Sequence, residues 1–342
     1  MNLRETLEHL LSGKNLGEDE AGALLRALTS AEIAPALAGA MLAALRAKGV
    51  TAAELRGFAR AMRSLARRPA IADSPHAIDI VGTGGDSSGS FNLSTGAALL
   101  TAACGVDVIK HGNRSVSSKS GSADVLEHLG LKLPLDEEAA GACLAATKFT
   151  FLFAPHYHPA MKAVGPIRQA MGVRTVFNIL GPLTNPAAPK FQLTGAFSLP
   201  TAQLMADALA GLPIERAFVV HGAEGWDEPT PLGPFTVLDV RPGQVRAAIR
   251  SPSDYGLDLC GTGDLAGGDA ASNARALKAA LCGEDSGAHR DALLLGTALA
   301  LEIVGRVKEP REGVAIAREA IDSGAARRLL ESLAAFGSRG AA

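Results

Sequence analysis

The chain has 342 residues, of which 47% are hydrophobic and 20% charged, with a formal net charge of -2. That is enough for two domains with a substantial core, and it excludes wholesale disorder. The near-neutral balance excludes a global attraction to nucleic acid or to an anionic membrane.

The first residues mix acids with apolar side chains and lack a signal-peptide core. The longest apolar run, 293–304, contains Glu302 and is too short to span a bilayer. The expectation is a cytoplasmic protein. Cys104, Cys143, Cys260 and Cys282 are widely spaced with no CxxC, which points to free thiols rather than disulfides or zinc.

Residues 3–66 read as consecutive short helices. Leu3, Leu7, Leu10 and Leu11 form one apolar stripe, and Thr51-Ala52-Ala53-Glu54 has the capping-box form ahead of Leu55, Phe58, Met62 and Leu65. No catalytic constellation is present here, so a small helical domain with a packing or subunit-contact role is expected. From residue 77 the texture changes. Ala77-Ile78-Asp79-Ile80-Val81 reads as a strand that runs into a glycine-rich loop, 82–90, and then a helix opening at Phe91-Asn92-Leu93-Ser94-Thr95. The loop is neither a dinucleotide fingerprint nor a P-loop. Its glycines let backbone N–H groups approach an anion closely.

The next strand, 106–109, leads into the polar run 110–127, which holds Lys110, His111, Asn113, Arg114, Lys119 and five serines. Such a run is either a solvated loop or an anion site. A short helix beginning at Ser122 follows, and a Gly/Ser/Lys loop between a strand and a helix N-terminus favours the anion. Two such loops at the carboxyl ends of neighbouring parallel strands point to one shared crevice.

Residues 149–153 read as a strand. His156 and His158 are spaced i, i+2 beside a proline but lack a third metal ligand at a familiar spacing. Arg168 and Arg174 flank a Pro/Gly-rich segment; each is a surface arginine or, facing a closed crevice, a carboxylate clamp. The strand 216–220 ends at His221-Gly222-Ala223-Glu224-Gly225-Trp226-Asp227-Glu228, which is either a solvated acidic turn or a place for Mg²⁺. A hairpin is expected over 235–249 and a helical framework over 269–336. The fold class is therefore α/β: a small N-terminal all-helical domain, 1–70, and a larger domain, 71–342, with a mainly parallel central sheet flanked by helices.

Three stretches resemble the signatures of the anthranilate phosphoribosyltransferase family: Asp79-Ile80-Val81-Gly82-Thr83-Gly84-Gly85-Asp86, the Phe91-Asn92-Leu93-Ser94-Thr95 helix start, and the run 110–127. So do 151–162, 174–186 and the Asp227-Glu228 pair, and the likeness covers essentially the whole chain. The resemblance implies transfer of a phosphoribosyl group from 5-phosphoribosyl 1-diphosphate (PRPP) to anthranilate, with Mg²⁺. It implies a nucleoside phosphorylase-like fold, a helical domain completed by about 166–188, and a homodimer through that domain, without nucleic-acid or membrane partners.

By the same resemblance, PRPP is bound by Gly82, Gly85, Asp86, Ser90, Asn92, Leu93, Ser94, Thr95, Lys110, His111, Gly112, Asn113, Arg114, Ser115, Val116, Ser117, Ser118 and Ser122. Anthranilate is bound by Gly82, Asn113 and Arg168, and Mg²⁺ by Ser94, Asp227 and Glu228. No nucleophile or base is implied; His111 is a possible assisting residue. Two departures stand out. Trp226, with Pro229 and Pro231 following, replaces a smaller aliphatic residue, and Leu295-Gly296-Thr297 replaces a Leu-Asn-Ala pattern. The rival readings are a pyrimidine nucleoside phosphorylase and a nucleic-acid-binding, non-enzymatic relative of the same fold.

Overall fold

The computed structural model describes residues 2–86, 88–115 and 119–339. Four helices open the chain: α1 (Leu3–Leu11), α2 (Glu18–Leu28), α3 (Pro35–Lys48) and α4 (Ala52–Leu65). Asn2 caps α1, Pro35 sits in the first turn of α3, and the expected capping box over Thr51 and Glu54 forms at α4. Glu54 does more than cap. Its carboxylate is fully buried and accepts from the Thr51 N–H (2.8 Å), the Leu16 N–H (2.9 Å) and Lys48 Nζ (2.9 Å). One side chain thereby ties the α1–α2 link and the end of α3 to the start of α4.

Strands and helices then alternate: β1 (Ile78–Gly82), α5 (Leu93–Ala103), β2 (Val108–Gly112), α6 (Ser122–His128), α7 (Glu137–Thr147) and β3 (Phe149–Phe153). Three helices, α8 (Ala154–Tyr157), α9 (Met161–Met171) and α10 (Phe177–Leu180), precede β4 (Phe191–Gly195), α11 (Leu199–Leu209) and β5 (Arg216–His221). The hairpin β6 (Phe235–Arg241) and β7 (Gln244–Arg250) follows, and α12 (Ala270–Leu281), α13 (Ala288–Ile303), α14 (Pro310–Asp322) and α15 (Ala325–Arg339) close the chain.

The sheet has the order β3-β2-β1-β4-β5-β6-β7. Its first five strands are parallel, and β6 and β7 are antiparallel. Both faces are covered, so alternate side chains enter two different cores. In β5, Phe218 and Val220 join a core made with α5–α7 and α12–α15. Ala217 and Val219 face a second core shared with α1–α4, α11 and the side chains of Val176, Phe177, Leu180 and Leu183. The helical bundle therefore packs on one face of the sheet. Among the described residues no helix is long and apolar enough to cross a membrane.

Two details differ from the sequence pattern. The second strand starts and ends later than 106–109, because Lys110 and His111 pair in register with Phe151 and Leu152 of β3. The polar run thus begins inside the sheet. And β4, which carries no clear strand signal, lies between β1 and β5. Its polar Gln192 is satisfied internally, donating to the Pro182 carbonyl (2.6 Å) and to Thr194 Oγ1 (2.6 Å).

Glu54→Ala leaves the Lys48 ammonium, whose side chain is 4% exposed, without its carboxylate and with only the neutral acceptors Asn15 Oδ1 (3.0 Å) and the Gly49 carbonyl (2.7 Å). The expected loss is about 3–5 kcal/mol of stability. Urea unfolding of the variant checks this; a loss as small as that of a surface ion pair, under about 1 kcal/mol, would contradict it.

Candidate active site

The first loop leaves β1 at Gly82 and is held against the turn after β5. The Gly84 N–H (2.5 Å) and Thr83 Oγ1 (3.3 Å) both donate to Asp227 Oδ2, and Asp86 Oδ2 accepts from the Asp227 N–H (3.2 Å). The backbones meet so closely that a Cβ on Gly195, at the end of β4, would lie 1.5 Å from the Asp227 carbonyl oxygen. Glycine is required there. The far side of the loop is strapped by a later segment. The Phe91 N–H donates to the Leu265 carbonyl (3.1 Å), the Gly267 N–H to the Gly89 carbonyl (2.7 Å), and Ser90 bridges to Ala266.

Asn92 joins this loop to the second one. Its Oδ1 accepts from Ser120 Oγ (3.3 Å) and from Asn273 Nδ2 of α12 (2.9 Å), while its Nδ2 donates to the Ser120 carbonyl (3.3 Å). The next residues begin α5. Leu93 and Thr95 turn their side chains inward, so they offer backbone N–H groups only. The Ser94 N–H donates to Glu228 Oε1 (3.3 Å); a carboxylate already sits at this helix N-terminus, where an anion is favoured.

In the second loop Lys110 is 2% exposed. Its Nζ donates to the Ile80 carbonyl and, at 3.4 Å, to Ser94 Oγ. The lysine therefore lies beneath the anion loops rather than out in solvent. Arg114 forms ion pairs with Asp124 (2.8 Å) and Glu127 (2.6 Å), bracing the loop onto α6. Asn113 accepts from Ser122 Oγ (3.2 Å) through its carbonyl, and the Ser115 N–H donates to Asp124 Oδ2 (3.3 Å). Gly112 ends β2. Val116, Ser117 and Ser118 lie outside the described residues.

Negative charge dominates the turn after β5. Burial, the neighbouring carboxylates and Asp86 push the carboxyls of Asp227 and Glu228 well above the usual range, and Lys110 only partly opposes this at Glu228. The Glu228 and Asp227 carboxylates and the Ser94 hydroxyl are the oxygen donors available to a divalent cation. Among the described residues no three His, Cys, Asp or Glu side chains form a ready cage. That suits Mg²⁺, which keeps waters and takes one or two carboxylates together with substrate phosphate. Trp226 is enclosed in the core, and its carbonyl accepts from the Gly222 N–H (2.8 Å). The unusual residue closes the turn that presents the acid pair.

Arg168, on α9, stands 5.2 Å over the Phe177 ring and has no acidic partner among the described residues. Arg174 donates to the Gly85 carbonyl and stacks 4.3 Å over Phe197, so it buttresses the glycine loop. His156 and His158 point apart. His156 Nε2 lies 3.7 Å from Glu137, whereas His158 packs edge-on against His111 with ring centroids 5.0 Å apart. They form no metal pair. Burial holds His111 down to about 3 and His158 down to about 4, so both rings are neutral.

Sequence reasoning gave no role to Asp79 or Asn185. Asp79 is fully buried in β1, and burial pushes its carboxyl up to about 6 despite Lys110. It accepts from Asn185 Nδ2 (2.9 Å) and the His111 N–H (3.2 Å), fixing the end of β2. The only sequence signal was an acid inside an apolar strand.

Two surface cavities lie elsewhere. One, of about 390 Å³, is lined by Asp258, Asp264, Asp285 and Asp291, and the other, of about 700 Å³, by Glu18, Arg56 and Asp207 among others. The four aspartates repel a phosphorylated ligand, and neither cavity has the converging N–H and hydroxyl donors of the two loops.

Residues 4–66 match the helical bundle domain, and residues 74–327 the a/b domain, of the glycosyl transferase family. The fold and site thus define a glycosyltransferase. An anthranilate phosphoribosyltransferase of Desulforudis audaxviator is 49% identical over 98% of this chain and 97% of its own length. The crystal structure of that enzyme from Thermus thermophilus matches with a TM-score of 0.92 and 43% identity, covering 99% of this chain and all of the other. The enzyme from Saccharomyces cerevisiae, in complex with PRPP and Mg, matches with a TM-score of 0.89 and 29% identity over 98% of each chain. The chain belongs to the anthranilate phosphoribosyltransferase family.

The raised carboxyls have a consequence for stability. A carboxyl whose pKa is raised on folding favours the fold below its unfolded pKa, and that contribution is lost as pH rises through the folded value. With divalent cations chelated, Asp227→Asn is expected to raise the melting temperature by a few degrees near pH 8 and to leave it unchanged only near pH 4, at the unfolded carboxyl value. Thermal unfolding at the two pH values decides; equal destabilisation at both would show that the carboxylate is not under strain.

Proposed function

We propose that the protein transfers the 5-phosphoribosyl group of PRPP to the amine of anthranilate and releases diphosphate, the second step of tryptophan biosynthesis from chorismate. The observation that carries this reading is the Asn92 bridge, which joins two Gly/Ser anion loops on adjacent parallel strands. The acid pair, Asp227 buried and Glu228 half-buried, adjoins the first loop through Gly84 and the start of α5 through Ser94.

Backbone N–H groups of Gly82, Gly85 and the Asn92–Thr95 helix start hold the phosphates of PRPP, with the hydroxyls of Ser90, Ser115 and Ser122 and the charge of Lys110. Asp86 orients the first loop through the Asp227 N–H. Mg²⁺ held by Ser94, Asp227 and Glu228 supplies positive charge to the departing diphosphate. Gly82, Asn113 and Arg168 hold anthranilate, and the Arg168 guanidinium grips its carboxylate through two parallel hydrogen bonds.

The aromatic amine is uncharged at neutral pH and needs no strong base. The difficulty is departure of diphosphate while positive charge grows on the ribose. The chain meets it by positioning and by fixed donors aimed at the leaving group. His111, whose ring burial keeps neutral, assists as a relay or as a contact that positions the substrate, not as a strong base.

The small unit is formed by 1–70 with about 166–188, and 71–342 binds PRPP. The protein works in the cytoplasm as a homodimer joined through the helical unit, with no nucleic-acid or membrane partner.

The test is the loss of anthranilate fluorescence in the presence of protein, PRPP and Mg²⁺, omitting each in turn. Loss that requires all three is expected; phosphorolysis of thymidine or uridine instead would assign the site to a pyrimidine nucleoside phosphorylase. Arg168→Ala should raise the KM for anthranilate by about tenfold or more, with the KM for PRPP within about twofold. Equal losses for both substrates would remove the carboxylate contact. Glu228→Gln should raise the Mg²⁺ concentration needed for half-maximal rate, and an unchanged Mg²⁺ titration would remove Glu228 from the metal site.

A further inference from the structure

Asn92 stands at the N-cap of α5. An asparagine there ordinarily turns its side-chain oxygen onto the N–H groups of its own helix. This one makes no side-chain capping bond. Its Oδ1 instead accepts from Asn273 Nδ2 (2.9 Å) and Ser120 Oγ (3.3 Å), and its Nδ2 donates to the Ser120 carbonyl (3.3 Å). The side chain is drawn sideways, and the first N–H groups of α5 lack their usual cap. Such groups favour an anion. A carboxylate from elsewhere, Glu228, takes the Ser94 N–H (3.3 Å) in place of the cap.

Asn273, 3% exposed in the first turn of α12, holds the Asn92 side chain there. Its own orientation is fixed. The Gly268 N–H can only donate, and it donates to Asn273 Oδ1 (2.7 Å). Asn273 Nδ2 is therefore the atom left for Asn92, and it requires an oxygen in return. At the other end the Ser120 carbonyl can only accept, which takes the Asn92 Nδ2. Two amides are thus clamped in one sense between a backbone donor and a backbone acceptor. The donor end lies on the strap of the first loop, because the Gly267 N–H donates to the Gly89 carbonyl (2.7 Å). The acceptor end lies on the second loop.

We propose that Asn273 is a positioning residue for the transfer: by engaging Asn92 Oδ1 it keeps Asn92 from capping its own helix, and so keeps the α5 N-terminus open to the phosphates of PRPP. This rests on the transferase reading above, which supplies the ligand. Without the Asn273 donor, Asn92 Oδ1 turns back onto the α5 N–H groups, and a substrate phosphate has to displace it. Asn273 acts through Asn92 and is not itself a catalytic residue.

The test uses the full-length protein, Asn273→Leu, which is close to asparagine in size but has neither donor nor acceptor, and Asn273→Ala. PRPP with Mg²⁺ is titrated by calorimetry without anthranilate, and both KM values are measured during transfer. Each variant should bind PRPP about fivefold or more weakly and raise its KM to match, with the KM for anthranilate within about twofold. A residue that merely supports the fold would lower the folded fraction, and with it kcat per mole of protein, and leave both KM values in place. That pattern, an unchanged PRPP affinity in either folded variant, or failure of both variants to fold would overturn the inference alone. Absence of both PRPP binding and anthranilate turnover in the unsubstituted protein would overturn the transferase reading and this inference with it.

Discussion

The site depends on an imbalance of buried charge. Asp86, Asp227 and Glu228 meet at the carboxyl edge of the sheet, and the ammonium that reaches them, Lys110, is itself enclosed. Water screens them poorly, so the Asp227 and Glu228 carboxyls are raised and favour either a proton or a cation. The same imbalance explains why the surrounding backbone is built so tightly. Gly84, Thr83 and Ser94 turn N–H and hydroxyl groups onto the acids. These donors occupy the acids now and are of the kind that serves a diphosphate once a cation neutralises the carboxylates.

Support for that arrangement comes from distant parts of the chain. α12 sends Asn273 to Asn92, and the segment around Leu265 straps the first loop from outside. α13 packs on α5, with Gly296 close to Ala97 and Thr297 donating to the Ala97 carbonyl (3.3 Å). The departure at 295–297 therefore backs the helix whose N-terminus forms the site. The C-terminal helices carry no chemistry of their own, yet they hold the loop in place. On the other face α9 brings Arg168 over Phe177.

Much of this is legible in the amino-acid sequence alone. The alternation of apolar strands with glycine-rich turns announced a parallel sheet, and the two Gly/Ser/Lys loops announced an anion crevice. The acid pair after an apolar strand was legible as a set of oxygen donors, and the capping box at Thr51 formed where its spacing placed it. These signals are local: they depend on residues within a few positions of one another, where backbone conformation and side-chain type suffice. What was missed was not local. β4 was unreadable because Gln192 and Thr194 look polar until Pro182 arrives to satisfy them. The true extent of β2 depended on its register against β3, and the role of Asp79 on Asn185, 106 positions away.

The sequence by itself determined the class of fold, the two Gly/Ser loops, the acid pair and the family, because each is written in short runs whose chemistry survives without context. Only the tertiary structure decided which donors are free and which are spent. Arg114 is committed to Asp124 and Glu127, Lys110 is enclosed beneath the loops, and Arg174 braces Gly85. Arg168, which the sequence leaves as either a surface arginine or a carboxylate clamp, has no acidic partner among the described residues and rests on Phe177. The physical reason is that a charged side chain takes its role from its partners, and here those partners are brought together by the packing of the helical bundle and the sheet.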